Sequence, residues 1–156
     1  MSEIFIFSVS NRQPDWINDG FNNYVNRMKS SYLIKFLDIP MITRSKNMNP
    51  AVATKKEGEL ILKKIPISAF VVALDISGGA FSSELLAKKL ISWSESRTIC
   101  FLIGGPEGLS KACLSRANER WSLSSLTFPH GLVRILVIES LYRAHSINIG
   151  HPYHRT

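Results

Sequence analysis

The sequence is poor in the residues that staple a fold or hold a metal. Only Cys100 and Cys113 are cysteine in 156 residues, which makes no disulfide framework and leaves no second pair for a zinc site. Cys100 lies in an apolar run and Cys113 in a predicted helix, so both read as small buried hydrophobes. Long apolar runs are missing too. The best candidate, 132–149, is interrupted by Arg134, Glu139 and Arg143, short of the roughly 18 unbroken apolar residues of a membrane span. The N-terminus has no basic segment and too short an apolar one for a secretory signal. These absences predict a cytoplasmic chain with no membrane partner. There is no HExxH helix, no GxSxG elbow and no cysteine with an activating partner, so covalent nucleophilic catalysis has little support. No Asp, Glu or Cys follows Glu139, so His151-x-x-His154 lacks the ligands to complete a metal site, and no metal is expected.

What is present is the composition of one ordinary globular domain, 1–156, with 45% hydrophobic and 20% charged residues. At this length the chain buries roughly 70% of the surface its unfolded form exposes, enough for a full core. Nineteen basic against twelve acidic residues give +7, which suggests a polyanionic partner such as nucleic acid, although many basic small proteins bind nothing anionic. The basic residues are scattered among acids rather than gathered in a patch, which argues against a dedicated DNA-binding surface.

Strand-like and helix-like segments alternate along the chain. Strands are predicted at 4–9, 32–39, 69–74, 98–103 and 122–128, with a turn at 77–81. Helices are predicted from Pro14-Asp15 to about 29, from Asn49-Pro50 to about 64, from 82–84 to about 95, briefly after Ser110, and from Pro129 to about 149. A basic loop with Arg44 and Lys46 fills 41–48. The alternation specifies an α/β fold, a mostly parallel sheet with helices on both faces. The last helix is apolar on nearly every side, so part of it is expected to be covered by a second subunit.

Open α/β sheets bind ligands beyond the carboxyl ends of their strands. Three predicted loops meet there: Asp75 to Gly79, Gly104-Gly105-Pro106-Glu107-Gly108, and the end of the fifth strand around Leu123 to Phe128. Their small, glycine-rich and hydroxylic residues suit an adenosine-sized ligand held by backbone groups, although a glycine-rich turn with no ligand has the same composition. The G-G-x-x-G spacing matches neither the dinucleotide fingerprint nor the P-loop. Glu139 and Arg143, four residues apart, can pair on one helix face. Tyr153, His154 and Arg155 offer an aromatic, an imidazole and a cation to an RNA, though a frayed basic terminus has the same content.

The strings LDISG (74–78), IGGPEGLS (103–110), LSSLTFPH (123–130), ESLYRA (139–144) and HPYHR (151–155) occur in this order. With the weaker PDW (14–16) and KEGE (56–59) they cover essentially the whole chain, and together they are highly specific. In these strings the sequence resembles the RlmH-type large-subunit ribosomal RNA methyltransferases of the SPOUT superfamily. One departure is Ser8-Val9-Ser10 after the first strand, where the family pattern has a glycine; in sequence this turn is remote from the three loops.

The resemblance implies a C-terminal trefoil knot, a homodimer and S-adenosylmethionine as methyl donor. It also implies N3 methylation of a pseudouridine in 23S rRNA, with the rRNA, a subunit or the ribosome as partner. Carried over by position, the donor-binding residues are Leu74, Gly104, Leu123, Ser124, Ser125, Leu126, Thr127 and Phe128. For catalysis, His154 is the expected general base by residue type, Tyr153 stacks or orients the base, Arg143 holds a phosphate or steadies charge on the imide oxygens, and Glu139 orients Arg143. The competing expectations are a non-catalytic basic RNA-binding module associated with the ribosome and a SPOUT methyltransferase acting on tRNA.

Overall fold

The computed structural model describes residues 1–155. Five strands and five helices follow one another as β1 (Ser2–Val9), α1 (Asp15–Met28), β2 (Tyr32–Ile39), α2 (Pro50–Lys64), β3 (Phe70–Ala80), α3 (Ser83–Ser94), β4 (Thr98–Ile103), α4 (Lys111–Arg116), β5 (Glu119–Ser122) and α5 (His130–Asn148). All strand pairs are parallel, in the order β2-β1-β4-β3-β5, as the strand–helix alternation predicts. β4 is buried over nearly its whole length at the centre, which is why it reads as an unbroken apolar run.

The helices divide between the two faces. α1, α3 and α5 cover one, where Phe21, Met28, Leu90, Trp93, Val137 and Leu141 pack on Ile4, Ile6, Ile99 and Phe101. α2 and α4 cover the other, where Ile61 and Cys113 meet Phe7, Val71, Cys100 and Leu102. The alternation of side chains along β1 and β4 distributes them between these two cores. Both cysteines are buried, and burial pushes the Cys100 thiol up to about 12.

Local signals place most boundaries. Asn49 caps α2 through Ala51 N, with Pro50 in its first turn. Ser82 caps α3 through Leu85 N, and Ser110 caps α4 through Cys113 N.

Two expectations are corrected. The fifth strand is not 122–128 but Glu119–Ser122. Its short ladder on β3 is anchored by buried Trp121, and by Glu119 accepting from Trp93 Nε1 at 2.9 Å and from Lys89. Beyond Ser122 the chain leaves the ladder and runs through 123–129 without regular structure. The expected turn at 77–81 is also displaced. β3 continues to Ala80, because after an irregularity between Leu74 and Gly79 it pairs with β5 again at Gly79–Trp121 and Ala80–Ser122.

Candidate active site

The parallel sheet brings four segments to its carboxyl edge: the β1–α1 turn, the start of the irregular stretch of β3, the loop after β4, and 123–129. Between them lie two cavities. The first, about 230 Å³, is walled by Leu74, Ile76, Trp121, Leu123, Ser124 and Leu126. The second, about 520 Å³, is walled by Ser10, Gly104, Thr127, Phe128, His130 and Val133 among others. Leu74, Thr127, Phe128 and Val133 belong to both, so the two form one trough. Of the eight positions assigned to a donor, Leu74, Gly104, Leu123, Ser124, Leu126, Thr127 and Phe128 line it, and Ser125 does not. Leu126 and Ile76 stand 71% and 77% exposed at its wall, apolar surface that a bound ring would cover.

The glycine loop has an architectural reason of its own. A Cβ on Gly104 would lie 2.4 Å from the Gly108 carbonyl carbon, and Gly108 adopts φ +81°, a backbone region that side chains disfavour. The loop closes on itself through Gly108 N donating to Gly105 O at 3.0 Å. It is also clamped from outside. Arg44, in the basic loop, donates to Glu107 at 2.8 and 3.2 Å and to Glu57 Oε1 at 2.9 Å, with a further bond to Glu57 Oε2. Glu57, only 2% exposed on α2, also accepts from Ile42 N at 2.9 Å. Arg44 is therefore internal to the scaffold. Its two carboxylate partners hold its guanidinium well above the ordinary value.

The β1–α1 turn, remote from the other loops in sequence, lines the same trough through Ser10, Asn11 and Gln13. The expected separation is thereby corrected, since β1 sits beside β4 in the sheet. Ser10 needs no positive φ here. Its hydroxyl bonds Asp38 Oδ1 at 3.3 Å and accepts from Arg134 Nη2 at 3.1 Å.

Two residues of α5 escaped the sequence reading as site residues. His130, in the trough wall, sits with Nε2 2.8 Å from the hydroxyl of fully buried Ser8. Burial, then the charge of Arg134, lowers its pKa from 6.5, with Asp38 opposing, so the ring is neutral at pH 7. Arg134, one turn on, is 3% exposed. It pairs with Asp38 Oδ1 at 3.1 Å, donates to Asn18 Oδ1 at 3.3 Å and lies 3.9 Å from the Phe36 ring centroid. The signal that could have found it was an arginine inside an otherwise apolar helix.

The other expected site residues form a separate cluster. Arg143 Nε and Nη2 donate to Glu139 Oε1 at 3.0 and 2.6 Å, and Tyr153 OH donates to the same oxygen at 3.1 Å. Arg143 lies 4.8 Å from the Tyr153 ring centroid, and Tyr153 meets Tyr142 edge to face at 4.6 Å. Arg143 Nη1 donates to His154 Nδ1 at 3.1 Å, while His154 Nε2 lies 3.0 Å from Glu84 Oε1. Since a guanidinium only donates, Nδ1 is the acceptor and Nε2 carries the proton. Burial, with Tyr24 and Glu139 adding to it, raises the Tyr153 phenol well above its ordinary value. It acts as a neutral donor.

Glu139, Arg143, Tyr153 and His154 thus come together, but not at the trough. Along α5, Glu139 is about 13 Å and Arg143 about 20 Å from His130 at 1.5 Å per residue, and none of the four lines either cavity. Among the described residues no three His, Cys, Asp or Glu side chains converge as a metal site, and no helix is long and apolar enough to cross a membrane.

Comparison with known proteins places this architecture. Residues 2–154 match the family model described as "Predicted SPOUT methyltransferase". The chain is 48% identical over 156 residues to the ribosomal RNA large subunit methyltransferase H of Legionella pneumophila (strain Paris), covering 99% of this chain and 100% of that protein. It is 46% identical over 154 residues to the protein of that name from Dichelobacter nodosus, and 43% over 154 residues to that from Saccharophagus degradans. Each of these two matches covers 98% of this chain and 99% of the relative. Matches of this extent include both the trough and the tail, and the chain belongs to the SPOUT methyltransferase family.

Proposed function

We propose that this chain transfers a methyl group from S-adenosylmethionine to N3 of a pseudouridine in 23S rRNA. In this reading it acts as a cytoplasmic homodimer on ribosomal particles and carries the family's C-terminal trefoil knot. The observation that carries the reading is the trough itself: seven of the eight positions assigned to the donor from sequence line the two adjoining cavities at the carboxyl edge.

The residues present fit an adenosine-bearing donor. Leu74, Ile76, Leu126, Phe128 and Val133 offer apolar surface to a purine. The 123–129 segment lies outside every strand and helix, so its backbone N–H and C=O groups are not spent in a ladder and can meet a ring edge. When bound, S-adenosylmethionine supplies a methyl group on a sulfonium, a good electrophile without further activation. The protein's work is to align the acceptor and to take the imide proton.

His154 is assigned that proton. In one chain its Nδ1 lone pair is engaged by Arg143 and its ring lines neither cavity of the trough. The assignment therefore requires a second subunit whose tail reaches this trough and frees Nδ1. Tyr153 would then orient the base as a neutral donor, and Arg143, held by Glu139, would steady negative charge on the imide oxygens. A second reading rests on His130, neutral and already in the trough wall, and gives it the proton within one chain.

Nucleoside mass spectrometry of 23S rRNA and tRNA from a deletion strain tests the substrate: loss of methylated pseudouridine from the rRNA alone is expected, and loss from tRNA alone redirects the activity. Absence of donor binding in equilibrium dialysis would leave a non-catalytic RNA-binding protein. With His154→Ala, transfer at saturating donor should fall about 10²- to 10⁴-fold, the usual contribution of a positioned base. If His130→Ala falls by that factor while His154→Ala does not, the base is His130.

A further inference from the structure

A third cavity, about 410 Å³, opens beside the trough between the ends of β1 and β2. It shares Ser10, Asn11, Gln13 and Met41 with the second cavity, so the three run in sequence along the carboxyl edge, from β3 and β5 past β4 to β1 and β2. None of the eight donor positions lines this end. Its chemistry differs from the apolar end. Asn11, Arg12, Gln13, Asn18 and Asp38 supply amides, a cation and a carboxylate, while Pro40 and Met41 supply an apolar surface. The volume is within the roughly 300–1,000 Å³ of small-ligand sites.

Resting on the methyltransferase reading, we propose that this compartment seats the acceptor nucleotide, with Asn11 and Gln13 meeting the base edge and Arg12 a flanking phosphate. An imide base presents a carbonyl acceptor on either side of its N–H, and a carboxamide N–H can donate to one of them while leaving the nitrogen open to the methyl donor. The Gln13 amide is fixed by donating to Asn11 O at 3.0 Å. The side chains of Asn11 and Arg12 are exposed and bond to no other described residue, so they are available to a ligand. Beneath them Arg134 ties Ser10, Asn18 and Asp38 into one floor. Arg134, 3% exposed, lines the base of this compartment with Nη1 and Nη2 engaged by those three partners, and acts as a positioning residue. Ser10 adds its hydroxyl to that floor. The nucleotide at this end faces the donor along the trough, the arrangement an in-line transfer needs.

The test uses the full-length protein with particles from a strain lacking the enzyme and labelled S-adenosylmethionine. Arg12→Ala should raise KM for the particle about tenfold and make the dependence of log KM on log salt shallower by about 0.9, the loss of one phosphate contact. Asn11→Ala should lower kcat/KM for the particle about tenfold with the salt slope unchanged. Arg12 lines only the third cavity, so Arg12→Ala should keep the wild-type Kd for the donor, which also reports that the fold is intact. Unchanged particle KM, kcat/KM and salt slope in both variants would overturn the seat while leaving the methyltransferase reading standing. A wild-type protein that binds donor but transfers no methyl to any RNA would overturn both together.

Discussion

His130 and His145 are the two histidines that α5 carries into the interior, and they make the fold sensitive to acid. Burial lowers both from 6.5; at His130 the Arg134 charge adds to it and Asp38 opposes. His145 packs edge-on against Tyr32 at 5.4 Å between centroids. With the folded pKa depressed, the unfolded chain takes up protons first, so unfolding gains protons and stability rises with pH through this range. The stabilisation is fully present above 6.5 and is lost as pH falls through the depressed folded values. Urea midpoints measured between pH 8 and pH 5 should therefore decline toward the acid side. In His145→Gln the decline should be shallower, because one of the two groups no longer titrates. Equal slopes in wild type and variant would remove His145 from the linkage. The same depressed pKa leaves His130 with a lone pair at neutral pH, which its role as alternative base requires.

Among elements, the loop after β4 is the one whose shape depends on distant parts of the chain. Arg44 from the β2–α2 loop bridges Glu57 of α2 to Glu107 within it. Arg44→Ala would leave Glu57 buried without its counter-charge, and breaking a buried pair in this way costs about 3–5 kcal/mol. We expect a destabilisation at the lower end of that range, because Glu107 is partly exposed and Ile42 N still bonds Glu57, together with a weaker donor Kd as the loop loosens. Denaturant unfolding and donor titration on the same variant check the two parts. None of this clamp was legible in the sequence, where Arg44 is one cation in a basic loop and KEGE one exposed-looking helical turn. What could be read was local. The apolar run of β4 marks a central strand, Asn49-Pro50 and Ser110 mark helix starts, and Glu139 with Arg143 marks a pair one turn apart. What escaped depends on neighbours supplied by the fold. Glu119–Ser122 lacks an alternating apolar pattern and is a strand because β3 offers it a ladder. Ser10 joins the trough because the parallel order sets β1 against β4.

For the whole molecule, the two ends of α5 pose a single problem. Its N-terminal end carries His130 and Val133 in the trough, and its C-terminal half carries Glu139 and Arg143 with the tail folded over them. Residues on the core side are buried, including Val137, Ile138, Leu141 and Ala144, while Leu132 and Trp16 of neighbouring α1 stay exposed. Two copies related by a two-fold axis and packed on this outer face in antiparallel fashion would set each tail against the other's trough, since a two-fold interface pairs every patch with its equivalent. Each working site would then need one trough and one tail from different chains, and complementation measures that requirement directly. Leu126→Asp puts a charge on an exposed apolar wall of the trough and should abolish donor binding in its own chain. His154→Ala should disable only the tail. Each variant alone should be close to inactive. Mixed in equal amounts and allowed to exchange subunits, they should recover about a quarter of wild-type activity, because half the dimers are then mixed and one of their two sites is intact. No recovery from a mixture shown by native mass spectrometry to contain mixed dimers would mean that trough and tail work within one chain.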